Sequence, residues 1–433
     1  MTPPRKRSLD RSQELLRRAR RVIPSCTQTF SKGPTQYVQG VAPVFLKRGK
    51  GSHVWDVDGN EYIDYPMALG PVILGHADPD VTAAVRAQLE DGVAFSLPHP
   101  LEVEVAEILT EMIPSAGMVR FGKNGSDATS GAVRAARAFT GRDMIACCGY
   151  HGWQDWYVGS TTRHRGVPEA VRALTLTFGY NDLGSLRKLF DEHAGKIAAV
   201  VMEPVGVIEP TGDFLQRVAA LCRERGALLV FDEIVTGFRV ALGGAQELYG
   251  VVPDLACFGK AMANGYPLSA VVGRRDVMDV FDEIFFSFTF GGEAVSLAAA
   301  KATIAALRDR QVIPHLWRQG RRLRDGYNAL AGETGLAGRT ECIGLPPRTV
   351  LAFTNADGSE SLPMKSLFQQ EMIKRGILTA GGFNICWSHG DGDIDRTLDA
   401  CRASLVLLAA AVAAGDVASR LEGPMIEPVF RRA

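Results

Sequence analysis

The feature that most constrains the fold of this chain is a set of short apolar runs that are continuous rather than alternating. "MIACC", "IAAVVMEPV", "ALLVFDEIV", "LACFG" and "LSAVVG" carry hydrophobic residues at successive positions. A strand with one wet face alternates polar and apolar residues, whereas a strand covered on both faces has no need to. Helical patterns accompany the runs: "DPDVTAAVRAQLEDG", "LEVEVAEILTEMIP" and "DATSGAVRAARAFTG" lie around the strand-like "MVRFG", and "DFLQRVAALCRERG" joins two runs as a βαβ unit. This order predicts an α/β fold, a mainly parallel central sheet flanked by helices.

The texture differs at both ends. "SHVWDVDGNEYIDY" predicts a β-hairpin turning at Asp58-Gly59-Asn60. Beyond about residue 315, "PHLWRQGRRLRDGYNALAG", "PMKSLFQQEMIKRG" and "DIDRTLDACRASLVLLAAAVAAG" have helical spacing, and "RTVLAFTN" reads as a strand. The expected organisation is a large domain over residues 76–314, with an N-terminal segment, 1–75, joining a C-terminal part, 315–433, in a smaller α+β domain. A chain of 433 residues suits two domains. "LDRSQELLRRARRVIP" predicts a helix with Leu9, Leu15, Leu16, Ala19 and Val22 on one face, a stop at Pro24 and arginines on a solvated face.

Several function classes lose support. Lys plus Arg equals Asp plus Glu at 48 each, so no net charge draws the chain to nucleic acid or a membrane surface. The eight cysteines form no CxxC pair and include the adjacent Cys147 and Cys148, which predicts reduced thiols in a cytoplasmic protein and no metal site. No apolar run approaches the ~20 residues of a membrane span. The basic "PPRKRS" near the start has no apolar segment after it, so no secretory signal is expected. There are no repeats and no low-complexity tracts.

In open α/β sheets, ligands collect at the carboxyl ends of strands. Four such ends carry chemistry. Asn124-Gly125-Ser126, between a strand and a helix, either cradles a phosphate on backbone N–H groups or is an ordinary cap with Ser126 or Asp127 as the capping residue. "CCGYHGWQDW" places Tyr150 where it either stacks on a planar ring or packs in a surface loop. Asp232 and Glu233 end "LLVFDE", so at least one carboxylate is expected in a cleft, facing a protonated ring nitrogen or a structural arginine such as Arg239. Lys260 follows another short strand, as an amine nucleophile or a salt-bridge partner. Together these describe a phosphate cradle, a stacking aromatic, an acid for a pyridinium and an imine-forming lysine, the protein's share of pyridoxal 5'-phosphate (PLP) chemistry.

From about residue 40 to residue 310 the chain resembles the class III (subgroup II, fold type I) PLP-dependent aminotransferases, above all glutamate-1-semialdehyde 2,1-aminomutase and its relatives. The likeness rests on "GPVILGHADPDV", "NGSDATSGAVRAARAFTGRD", "GYHGWQDW", "VVMEPVG", "LLVFDEIVTGFRVALGGAQELYG", "LACFGKAMANGYPLSAVVG" and "SFTFGGEAVSLAAAKATI". It implies that Lys260 forms the imine and Asp232 partners the pyridine nitrogen. It implies further that Ile234 and Tyr150 cover the two ring faces and that Gly125 and Ser126 bind the phosphate. Thr289 is placed like a threonine that reaches the phosphate from a neighbouring subunit, which implies a homodimer with shared sites.

The departures bear on substrate. The aminomutases carry an early arginine for the substrate carboxylate, where this chain has Thr27, Gln28 and Thr29. "TAGGFNICWSHGDGD" lacks the late arginine of ornithine-type enzymes, and Ile208 and Glu209 stand near where the aminomutases have an asparagine. A bidentate arginine is the usual carboxylate grip. Its absence, with Gln28, Asn384, His389, Trp153 and Trp156 as replacements, favours transfer from an amino acid such as L-glutamate to a keto-sugar, cyclitol or similar carbonyl compound. An intramolecular aminomutase is the alternative, and Arg163, Arg165 and Arg348 are candidates for a displaced carboxylate clamp.

Overall fold

The structure, a computed structural model, describes residues 7–429, so part of the basic "PPRKRS" lies outside the described residues. The chain forms two compact units, one from the residues up to Asp78 together with those from Pro314 onward, the other over Pro79–Ile313.

A seven-stranded sheet organises the larger unit. In spatial order its strands are Met118–Gly122, Ser269–Gly273, Leu255–Phe258, Leu228–Asp232, Ile197–Met202, Met144–Cys148 and Thr175–Thr177. All run parallel except Ser269–Gly273, which is antiparallel to both of its neighbours. Every residue of Ile197–Met202 and of Leu228–Asp232 is buried, as the unbroken apolar runs require. The helix Gly125–Thr140 packs on the sheet through Ala128, Ala132, Ala135 and Ala136, small side chains that let helix and sheet approach closely. The βαβ helix forms at Phe214–Arg225 and ends at Gly226, whose φ of 62° closes it in the left-handed conformation.

In the smaller unit the hairpin pairs His53–Asp56 with Glu61–Asp64. The Asp56 carboxylate holds its turn by accepting the N–H groups of Asp58 and Asn60 at 3.0 and 2.8 Å. Leu46–Lys50 extends the hairpin on one side, and Ile377–Leu378 joins it in parallel on the other. A separate antiparallel sheet comprises Thr340–Ile343, Arg348–Phe353 and Gly382–Asn384. The helix Asp10–Val22 buries Ser12, Leu16 and Ala19 and leaves Arg11, Arg17, Arg18, Arg20 and Arg21 exposed.

One expectation needs correction. The helix Asp391–Ala414 has 24 residues and is long and apolar enough, by length and composition, to cross a membrane. It packs within the unit on a face that includes Ile394, Thr397, Cys401, Leu405 and Leu408, and its first half carries Asp391, Asp393, Asp395, Arg396 and Asp399. Reading by run length missed it because charged residues interrupt the apolar positions that the helical period gathers on one face.

Candidate active site

Residues at the end of Leu228–Asp232 point in opposite directions, as successive residues of a strand do. Glu233 turns inward and is fully buried. It accepts the N–H groups of Ala245 and Gln246, both at 2.8 Å, and the Thr236 hydroxyl. Burial nonetheless pushes its carboxyl up to about 7. Asp232 faces the other way, 4 % exposed, with Oδ1 accepting the Ile234 N–H at 3.1 Å and Oδ2 lying 2.8 Å from His151 Nδ1. The second nitrogen of His151, Nε2, is 3.1 Å from the Cys148 carbonyl, which only accepts. His151 thus lies between a carboxylate and a backbone carbonyl, held in place by both, with lone pairs left on Asp232 for a further donor.

The loop that carries His151 is pinned to the start of the helix Gly125–Thr140. Thr129 Oγ1 donates to the His151 carbonyl at 2.9 Å, and Trp153 N–H donates to Ser126 Oγ at 3.2 Å. The helix is capped by Asn124 in a capping box with Asp127, whose Oδ2 accepts the Lys123 and Asn124 N–H groups at 3.1 and 2.7 Å. Ser126 is thus not the cap. The N–H groups of Gly125 and Ser126 belong to the first turn, which a helix leaves without intrahelical acceptors. Space there is tight. A Cβ on Gly152 would lie 2.2 Å from Ser126 Oγ, and Gly152 sits at φ +109°.

Ile234 joins the remaining parts. A Cβ on Gly125 or on Gly259 would each lie 3.1 Å from Ile234 Cδ1, so the phosphate-type turn and the loop after Leu255–Phe258 meet at this side chain. Lys260 follows at φ +39°, a left-handed backbone uncommon for a residue with a Cβ, and starts the short turn Lys260–Ala263 half-buried. Tyr150, 52 % exposed, packs edge-on against Tyr157, and its phenol is raised by burial and by the Asp232 charge. Gly125, Ser126, Tyr150, Asp232, Ile234 and Lys260 therefore surround one end of the sheet, within one unit. His151, the group that holds Asp232, was visible in the sequence only as one polar residue of an aromatic loop.

Other expected residues separate. Thr289 is exposed within a segment where Phe285, Phe288 and Phe290 are exposed too. Trp153 and Gln28 are exposed on different units. Asn384 is half-buried, donates to the Pro66 carbonyl at 3.1 Å and pairs in register with Arg348. Arg163 and Arg165 are exposed on the larger unit. Two residues do not offer what the sequence suggested. His389 is fully buried, stacked on Tyr65 with ring centroids 4.6 Å apart. Trp156 is buried in the core and donates its indole N–H to Ser130 Oγ at 3.1 Å.

The Aminotransferase class-III family model matches residues 36–338. The chain belongs to the class-III aminotransferases. Glutamate-1-semialdehyde 2,1-aminomutase of Syntrophobacter fumaroxidans is 36% identical over 421 residues, covering 90% of this chain and 96% of its own. The 3-aminobutyryl-CoA aminotransferase of Cloacimonas acidaminovorans is 35% identical over 410 residues, 92% of this chain and 98% of its own. Among solved structures, the FumI protein of Sphingopyxis sp. MTA144 in its PLP internal aldimine form superposes with a TM-score of 0.87 at 32% identity, covering 93% and 97% of the two chains.

This class-III chain is a PLP-dependent enzyme of fold type I. Its residues fit the cofactor. The first-turn N–H groups at Gly125 and Ser126 suit a phosphate, the glycines at 125 and 152 leave room that a Cβ would fill, and Asp232 retains acceptor capacity for a ring N–H.

Proposed function

We propose that this class-III enzyme is a two-substrate aminotransferase, taking an amino group from an amino-acid donor, L-glutamate, and passing it to a carbonyl acceptor of the keto-sugar or cyclitol class. The observation that carries the reading is Asp232, held by His151 at the strand end and joined through Ile234 to the loops of Gly125 and Lys260. When bound, PLP supplies an aldehyde that captures an amine and a ring that delocalises the electrons left by a departing α-proton. Asp232 keeps a proton on the ring nitrogen, and His151 holds that carboxylate in place. Tyr150 and Ile234 cover the ring faces, while Gly125 and Ser126 bind the phosphate. Lys260 anchors the cofactor at rest and, once released, takes and returns the substrate proton.

Support for the acceptor class is chemical. No arginine stands at Thr27–Thr29 or between Thr379 and Asp393, so a small carboxylated semialdehyde lacks the usual grip in both places. Gln28, Trp153 and Asn384 offer amide and aromatic surface to a hydroxylated ring. Arg348, the strand neighbour of Asn384, is the candidate grip for the donor's carboxylate. The exposed Phe285, Phe288 and Phe290 around Thr289, with Leu97 and Val103 also exposed on this unit, support a homodimer in which Thr289 reaches a partner's phosphate. Eight free thiols support a cytoplasmic setting.

The second reading is an intramolecular aminomutase, favoured by identities such as 36% to proteins of that name. Mixing holoenzyme with L-glutamate alone separates the two. Aminotransfer bleaches the bound cofactor and releases 2-oxoglutarate stoichiometrically with active sites. A cofactor that stays unchanged with glutamate and with other amino donors would sink the two-substrate reading.

A further inference from the structure

Lys123 stands between the strand Met118–Gly122 and the turn of Gly125 and Ser126. Its backbone N–H is taken by Asp127, but its side chain leaves the turn. Nζ lies 3.0 Å from Glu293 Oε2, and each side chain is 13 % exposed. Glu293 is itself anchored. It caps the helix Ala294–Asp309, with Oε1 accepting the Val295 N–H at 2.8 Å and Oε2 accepting the Ser296 hydroxyl at 2.5 Å. That helix buries Leu297, Ala299, Ala300 and Ile304, so its start is a fixed point in the close-packed interior.

The segment before Glu293 is seated on the same strand end. A Cβ on Gly122 would lie 3.5 Å from Phe288 Cζ, and the Phe286 and Phe288 rings meet edge-on with centroids 5.2 Å apart. The Gly291 N–H returns to the Phe288 carbonyl at 3.1 Å, closing a turn around Thr289 and Phe290. Phe288 and Glu293 thus fix this segment to Gly122 and Lys123, just ahead of Gly125. A lysine so placed has two roles open to it. As a lone cation it would attract a phosphate directly, and Glu293 would weaken that attraction. As half of an ion pair it holds the backbone of the turn, and Glu293 is required. The geometry favours the second, because Nζ is committed to a carboxylate that is largely out of water.

We propose that the Lys123–Glu293 ion pair positions the cofactor phosphate, by clamping the turn that presents the Gly125 and Ser126 N–H groups to the start of the helix Ala294–Asp309. Lys123 and Glu293 are positioning residues that act through the turn, and both lie within the larger unit. This role rests on the reading above that Gly125 and Ser126 bind the phosphate. Removing either partner leaves the other charge poorly solvated, so each single change releases the turn.

The full-length enzyme, freed of cofactor, is titrated with PLP and with pyridoxal, which lacks the phosphate, and binding is read from the absorbance of the bound aldehyde. Lys123→Met removes the charge at nearly constant length, and Glu293→Gln removes it while keeping an oxygen for the helix start. Each is expected to weaken PLP about tenfold, as loss of a charged hydrogen bond does, and to change pyridoxal less than about twofold. Pyridoxal binding also reports that the variant is folded, and Glu293→Gln decides the matter if Lys123→Met does not fold. The double variant should be no weaker than the worse single one, and Lys123→Arg should stay near wild type. The proposal is overturned if PLP and pyridoxal weaken equally, which is general structural damage, or if the two single effects add. It is also overturned if Glu293→Gln tightens PLP, which would make Lys123 a direct partner of the phosphate. Wild-type enzyme that binds both probes equally would instead remove the phosphate reading of Gly125 and Ser126, and the proposal with it.

Discussion

Replacing His151 with phenylalanine tests the polar centre of the site most directly. The imidazole is 2 % exposed and Asp232 is 4 % exposed, so no water takes the place of the lost donor. The ring's packing is largely kept, because the stacking on Trp156, with centroids 6.0 Å apart at 16°, and the edge contact with Tyr157 suit a phenyl group. The Cys148 carbonyl also retains the Glu203 N–H at 3.4 Å. The perturbation is therefore chiefly the 2.8 Å contact to Asp232. A hydrogen bond to a charged group contributes ~2 kcal/mol net. If that hold is lost and Asp232 has the proposed role of keeping the ring nitrogen protonated, the half-reaction slows about 30-fold. Stopped-flow bleaching of the cofactor by an amino donor measures the rate, and absorbance per chain measures occupancy. A rate within about twofold of wild type at full cofactor occupancy would refute the role given to His151.

Other outcomes follow from named contacts. Gly152→Ala sets a Cβ 2.2 Å from Ser126 Oγ at φ +109°, so this variant should lose cofactor on dialysis, with protein fold retained by circular dichroism. Arg348→Ala should raise the donor's KM about tenfold with kcat little changed, as loss of a carboxylate grip does; an unchanged KM dismisses that grip. Mixing inactive Lys260→Ala chains with Thr289→Val chains should restore about a quarter of wild-type activity if sites are shared, since half of the dimers are then hybrids with one intact site. No recovery beyond the sum of the parents would argue against sharing. Glu233 has its folded carboxyl raised from 4.5 to about 7, so its contribution to stability is present below the lower value and lost as pH rises through the upper. Glu233→Gln should consequently lower Tm more at about pH 5.5 than at about pH 8, and an equal loss at both would contradict the shift.

Much of the architecture was readable because it rests on neighbours along the chain. The unbroken apolar runs predicted strands that are in fact covered on both faces, and the polar residues that follow them stand at the strand ends. What local pattern does not encode was missed. The edge strand Thr175–Thr177 has too few apolar residues to announce itself and forms by pairing with Ile145–Cys147. Ser269–Gly273 reads like its neighbours yet runs antiparallel, since direction depends on the connection and not on periodicity.

The candidate site divides along the same line. Sequence by itself determined the placement of Asp232 and Lys260 after buried strands, the helix start at Gly125 and Ser126, and the family that these motifs carry. Only the tertiary structure decided that His151 holds Asp232, that Asn124 and not Ser126 caps the helix, and that Ile234 joins two loops remote from each other in the chain. It also decided that His389 and Trp156 belong to the interior. The physical reason is range. Periodicity and capping act over a few residues, whereas the partner of a buried charge and the burial of a side chain depend on packing between segments far apart in sequence.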